Sequence, residues 1–151
     1  LDGLLSACRD IATPLIAAGG LMDGADVARV MAAGAATGQL GTAFLRCPEA
    51  GTAEGWRQAL ADAGPDATAV TRAVSGRWAR GIANAWMDGR APTEVAPYPD
   101  QHRLTSPLRK AGGVEWKSLW AGTGAHRSRA LPVEELVQVI EEERRAASKS
   151  G

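Results

Sequence analysis

With 151 residues and 45% hydrophobic content, the chain is long enough for one ordinary domain with a real core, and its composition is that of a folded protein rather than a disordered one. Seventeen Lys and Arg balance seventeen Asp and Glu, which excludes a global field drawing it to nucleic acid or to a membrane surface. Cys8 and Cys47 fit no disulfide or metal-ligand spacing, no apolar run is long enough to span a bilayer and no signal peptide is visible, so the expected location is cytoplasmic.

Leu1, Leu4, Leu5 and Cys8 recur at helical spacing, which predicts a helix over residues 2–10. That pattern begins without an initiator Met, as expected of the continuation of a longer chain. Thr13-Pro14 introduces a short apolar strand over residues 15–18, expected to be buried, and Gly19-Gly20 ends it. Asp23 is the expected N-cap of a helix to about Ala33 that carries Val27, Val30 and Met31, with Gly34 as its left-handed C-cap. A second strand covers residues 37–40 before Gly41-Thr42, and a strand-helix-strand order implies parallel pairing.

Residues 43–46 are expected to make one extra helical turn, and Thr52 to cap a helix bearing Trp56, Ala59 and Leu60 that Gly64-Pro65 closes. Alternating β-branched residues predict an extended segment over 68–74, stopped by Ser75-Gly76. Ala79, Ile82, Ala83 and Trp86 fall on one helical face, which predicts a helix over 77–87 with Gly89 just beyond it. A proline-rich connector follows over 91–99, and Ser106-Pro107 reads as the N-cap and first position of a further helix. Leu131-Pro132 opens the final helix, with Val133, Leu136, Val137 and Ile140 as its apolar stripe, residues 141–145 on the solvated side and residues 146–151 fraying.

The chemistry is concentrated at the two strand ends. Glycines there let backbone N–H groups approach a ligand, and a helix start just beyond adds its positive dipole end, so both turns suit an anion, phosphate first. Two such turns after consecutive parallel strands, with a short extra helix, resemble the phosphate end of a (β/α)8 barrel. A dinucleotide fingerprint and a Walker loop are both absent. Arg72, Arg77 and Arg80 read as a solvated cluster, and His102 and His126, each beside an arginine, do not form a metal set. Trp56, Trp86, Trp116 and Trp120 are core candidates, Trp120 also a pocket wall beside glycines. Ser6, Ser75 and Ser118 lack a nucleophile-elbow context, and no carboxylate pair stands out for acid-base work.

Ile16-Ala-Ala-Gly-Gly-Leu-Met-Asp-Gly24, Gln39-Leu-Gly-Thr-Ala-Phe-Leu45, Thr71-Arg-Ala-Val-Ser-Gly-Arg-Trp-Ala-Arg-Gly81 with Asn84, and Leu119-Trp-Ala-Gly122 together resemble the C-terminal half of nitronate monooxygenase, formerly 2-nitropropane dioxygenase. The first two motifs are shared with the FMN-dependent enoyl-acyl-carrier-protein reductases, and the later two tilt toward nitronate monooxygenase. The resemblance implies an α/β fold: the C-terminal portion of a (β/α)8 TIM barrel with a smaller, mostly helical, inserted substrate-side domain. Residues 1–64 would be barrel strands and helices, 65–129 the insertion, and 130–151 the final barrel helix and tail. FMN is the implied cofactor, its phosphate held by Ala18, Gly19, Gly20, Gln39, Gly41 and Thr42. Tyr98, His102 and Trp120 are the implied substrate-side residues. The family's catalytic His sits in a Gly-Gly-His motif that neither Asp100-Gln-His-Arg103 nor Gly124-Ala-His-Arg127 matches, so no catalytic residue is assigned to this chain and its missing partner is the N-terminal half of the barrel. The implied substrates are a small nitronate and O2, with no metal, and a homo-oligomer is an open expectation. An enoyl reductase, or a non-catalytic phosphate-binding half-barrel that needs a partner segment, are the alternatives.

Overall fold

Residues 1–87 and 94–149 are described by a computed structural model. Its contacts divide the chain into two units, one of Leu1–Thr52 with Arg127–Gly151 and one of Ala53–His126.

In the first unit the chain order is helix α1 (Asp2–Ala7), strand β1 (Ile16–Ala18), helix α2 (Gly24–Ala32), strand β2 (Thr37–Gln39) and, closing the unit, helix α5 (Val133–Lys149). β1 and β2 pair in parallel, in the register Ile16 with Thr37, Ala17 with Gly38 and Ala18 with Gln39. Leu5, Ala17, Leu21, Val30 and Ala35 bury together behind this ribbon, with Leu15 and Leu40 packed against them. Two three-residue strands do not hold by themselves, so this cluster stabilises the pairing, at about 1.5–3 kcal/mol for each fully buried aliphatic side chain. The expectation of a fully buried β1 is corrected. Ala17 is 2% exposed but Ile16 is 62% exposed, because the helices cover only one face of the ribbon.

Asp23 caps α2 as expected, its Oδ1 accepting from the Asp26 amide at 2.8 Å, and Gly34 follows the helix at φ 103°. α2 packs directly on α5. Gly24 makes that packing possible: a Cβ there would collide with the Ile140 carbonyl, the Arg144 amide and the Glu143 side chain. Of the predicted α5 stripe only Leu136 is fully buried; Val133 and Val137 are 39% and 50% exposed. Nor is the polar side merely solvated, since Glu143 Oε2 accepts from the Gly24 amide at 2.9 Å and Glu143 Oε1 from Arg129 at 2.7 Å. The helix runs to Lys149 rather than fraying from 146, with Ser148 Oγ donating to the Arg144 carbonyl.

The second unit holds helix α3 (Glu54–Ala61), the antiparallel strands β3 (Thr68–Thr71) and β4 (Ala79–Ile82), and helix α4 (Asp100–Ala111). Ala53, not Thr52, occupies the N-cap position of α3. The predicted helix over 77–87 is a strand at its start: residues 79–82 pair with β3 and, on the other side, Ile82 donates to the Leu119 carbonyl while Ala121 donates to the Arg80 carbonyl. The helical spacing of Ala79, Ile82 and Trp86 loses to an available antiparallel partner on each side, and Gly81 allows the Leu119 backbone to come close. Gly89 and the first part of the connector over 91–99 lie outside the described residues.

Pro107 does not begin a helix but sits inside α4. Its missing N–H leaves the Arg103 carbonyl without a helical donor, which tertiary bonds on the other face of the helix offset. Gln101 Nε2 donates to the Ala73 carbonyl at 2.6 Å and Thr105 Oγ1 to the Val74 carbonyl at 2.8 Å, both buried. Trp86 also donates to the Ala73 carbonyl, at 3.2 Å, so the loop after β3 has its buried acceptors satisfied. Among the described residues no helix is long and apolar enough to cross a membrane.

Replacing Gly24 by Ala should force α2 and α5 apart and destabilise the protein by about 3 kcal/mol, whereas Glu143→Gln, which keeps the volume, should cost about 1–2 kcal/mol. Thermal and urea melts of the two variants against the parent check that order; equal stability of Gly24→Ala and parent would mean the close approach is absent.

Candidate functional site

The parallel register places the C-terminal ends of β1 and β2 side by side, with Ala18 directly opposite Gln39. Gly19 and Gly20 leave β1 at φ 104° and 75°, a backbone that side-chain-bearing residues avoid. Gly41 and Thr42 leave β2 into a short 3-10 turn over Thr42–Phe44, where the sequence predicts an extra turn one residue later. The structure thus brings all six predicted cofactor residues to one end of one ribbon. A Cβ built at Gly19 or at Gly41 meets nothing within 4 Å, so both turns border open space.

The start of α2 does not add the expected unclaimed dipole end. Its Gly24 amide is taken by Glu143 and its Asp26 amide by Asp23. Arg127, which the sequence reading passed over, ties this start to the glycine turn: it donates to Asp23 Oδ2 at 2.9 Å, to Asp26 Oδ2 at 2.7 Å and to the Gly20 carbonyl at 3.1 Å. Arg129 adds a bond to the Met22 carbonyl at 3.3 Å beside its pair with Glu143. Nothing in the sequence signals these pairings, because acids at a helix start are already favoured by its amides and dipole.

Burial by itself would raise the Asp26 carboxyl, but the Met22 amide, the Arg127 guanidinium and Arg29 together hold it below the usual carboxylate value. Glu143 is likewise held low: the Gly24 amide and Arg129 outweigh its burial. Burial pushes the Cys47 thiol up, with the Glu49 charge adding to it, which suits a core group and not a nucleophile.

The substrate-side candidates belong to the second unit, where one cavity does not take in all three. Tyr98 is half exposed, with the Arg77 guanidinium 4.0 Å from its ring centroid. Trp120 packs on Ala73, Val74 and Trp86. His102 borders a cavity of about 630 Å³ that Trp56, Arg109, Lys110, Lys117 and Ser118 also line. Neither Tyr98 nor Trp120 is part of that lining. Trp116 is 40% exposed and not a core residue, although its ring meets Trp86 edge-on at 5.8 Å. The arginine cluster is more bonded than a solvated face: Arg72 donates to the Gly76 carbonyl at 3.0 Å, and Arg80 to Thr68. No cluster of three or more potential metal ligands occurs among the described residues.

The sequence pattern of the family described as nitronate monooxygenase matches residues 3–143. The chain belongs to the nitronate monooxygenase family. It is 41% identical over 148 residues to a nitronate monooxygenase of Paraburkholderia phytofirmans, a match that takes in 93% of this chain and 39% of that protein. A nitronate monooxygenase of Pseudomonas aeruginosa is 38% identical over 139 residues, with 87% of this chain and 40% of the relative covered. Among solved structures, nitroalkane oxidase from Streptomyces ansochromogenes superposes with a TM-score of 0.92 at 42% identity, over 99% of this chain and 45% of its own. FabK from Thermotoga maritima gives 0.80 at 25% identity, over 97% and 49%. The chain therefore spans well under half the length of the nitronate monooxygenases it matches, 39% and 40% of the two named here.

Because the folded-state value of Asp26 lies below its unfolded one, the stability it contributes is complete at neutral pH and is lost as pH falls through the folded value, in the range below about pH 4. Melting temperatures should therefore drop below that pH, and Arg127→Ala should lower the neutral-pH stability by about 1.5 kcal/mol while making the acid drop shallower. Melts from pH 7 to pH 3 check both; parallel pH profiles for parent and variant would mean that Arg127 does not hold the carboxylate.

Proposed function

We propose that this chain acts as the C-terminal part of an FMN-dependent oxidoreductase of the nitronate monooxygenase type, a cytoplasmic enzyme that oxidises alkyl nitronates with O2. The observation that carries the reading is the pair of adjacent turns at the ends of β1 and β2, open to solvent at Gly19 and Gly41, in a chain of this family. They fit a phosphate that backbone amides, not cations, would bind, since the nearby Arg127 and Arg129 are engaged by Asp23, Asp26 and Glu143.

In this reading Ala18, Gly19, Gly20, Gln39, Gly41 and Thr42 hold the FMN phosphate. Bound FMN supplies the redox chemistry. Arg127, by its bond to the Gly20 carbonyl, keeps the first turn in one shape, which lowers the ordering cost of binding. The rest of the (β/α)8 barrel and the family's catalytic His come from sequence outside this chain, which by itself is inactive. The 62% exposure of Ile16 supports that completion, because strand residues facing a barrel interior are buried by other strands. Residues 65–129 would be the substrate-side insertion, with Tyr98, His102 and Trp120 as its candidate contacts, and the assembled enzyme would take a nitronate and O2.

The intact protein should bind FMN and show oxygen uptake with propane nitronate. Gly41 has an ordinary negative φ and open space beside it, so Gly41→Asp should fold normally yet weaken FMN by roughly tenfold or more through charge repulsion, with riboflavin little affected. An intact protein that purifies colourless and takes up no FMN would overturn the reading. NADH oxidation with an enoyl substrate and no oxygen uptake with nitronates would instead favour a reductase, a second reading to which the similarity to FabK gives weight.

A further inference from the structure

The 630 Å³ cavity lies wholly within the second unit and has a one-sided chemistry. Arg109, Lys110 and Lys117 line it, and no Asp or Glu does. The Arg109 guanidinium is half-buried and its bonds go to no carboxylate: Nε donates to Thr105 Oγ1 at 3.2 Å, Nη1 to Ser118 Oγ at 3.1 Å and Nη2 meets His102 Nδ1 at 3.3 Å. Arginine has no acceptor, so in this contact the guanidinium donates and His102 Nδ1 accepts. Among the described residues no carboxylate comes within 4 Å of Arg109, Lys110 or Lys117 to form an ion pair.

A partly buried guanidinium without a counter-charge is costly, and burial depresses its affinity for the proton here. Its orientation is fixed by three acceptors that hold the fork, and a guanidinium has two further N–H groups to offer. The same lining includes the apolar side chains of Trp56, Val114 and Leu119. Glu115, the acid nearest in sequence, has its carboxylate over Gly113 and is not part of the lining.

We propose that this cavity is a binding site for a small organic anion with two oxygens on one planar centre and an apolar body, an aromatic carboxylate being the simplest example. The planar oxygens pair with the free edge of Arg109, Lys110 and Lys117 supply the long-range attraction, and the body lies against Trp56, Val114 and Leu119. The site requires neither FMN nor the missing barrel residues, so it stands or falls separately from the oxidase reading.

The test is titration of the intact protein, labelled with ¹⁵N in its tryptophans, with benzoate; the Trp56 indole N–H resonance, assigned by its disappearance in Trp56→Phe, is the reporter. Benzoate should shift that resonance to saturation. Benzamide, which lacks the charge, and acetate, which lacks the body, should each bind roughly tenfold more weakly or worse, and inorganic phosphate should not compete at equal concentration. Arg109→Gln should abolish the shift. Because Lys110 and Lys117 are exposed, the double variant Lys110→Ala with Lys117→Ala should keep the parent melting temperature and still lose roughly tenfold in affinity. No saturable shift, equal binding of benzamide, or undiminished binding by the lysine double variant would each overturn the proposal.

Discussion

Parallel pairing of two three-residue strands is the constraint on which the site depends. Parallel neighbours share a direction, so the turns that leave them emerge at one edge, and the register Ala18 to Gln39 sets those turns level. A slip by one residue would turn every side chain to the opposite face and carry Ala17 out of the cluster of Leu5, Leu21, Val30 and Ala35. Burial of that cluster thus fixes the position of the glycine turns.

Charge pairing around the start of α2 does a second job. Helix starts attract anions, and here the protein's own carboxylates occupy that place, with Arg127 and Arg129 neutralising them in turn. Helix α5 supplies one of those carboxylates from the same stretch that meets Gly24 backbone to backbone. Close packing and electrostatic satisfaction are therefore one feature: moving α5 outward would remove Glu143 from the Gly24 amide as well as open a void.

Features with short-range causes were legible in the sequence. The strand-helix-strand order, the Asp23 cap and the glycine turns follow from apolar spacing, a side-chain acceptor and the φ that only glycine takes easily. What failed depended on distant partners. Residues 79–82 carry a helical spacing, but β3 on one side and Leu119 to Ala121 on the other offer backbone bonds that no local pattern records. Pro107 marked a helix start by local rules, while buried Gln101 and Thr105, bonded to carbonyls about thirty positions away, carry the helix through it. Arg127 lies about a hundred residues from Asp23 and Asp26, a pairing beyond any spacing rule.

The two units distribute charge in opposite ways around their proposed anion sites. At the β1 and β2 turns the charged groups nearby are already paired among themselves, so an anion there would depend on amide dipoles at short range, where salt screens little and fit to the turn decides. Among the described residues the cations around Arg109 have no carboxylate partner and two of them are exposed, so the attraction they would exert on an anion reaches further and weakens as ionic strength rises. Backbone recognition would also tolerate little change in shape, and the bond from Arg127 to the Gly20 carbonyl holds that turn. Side-chain recognition tolerates adjustment, and there the guanidinium is oriented by hydrogen bonds while Lys110 and Lys117 are exposed on flexible stems.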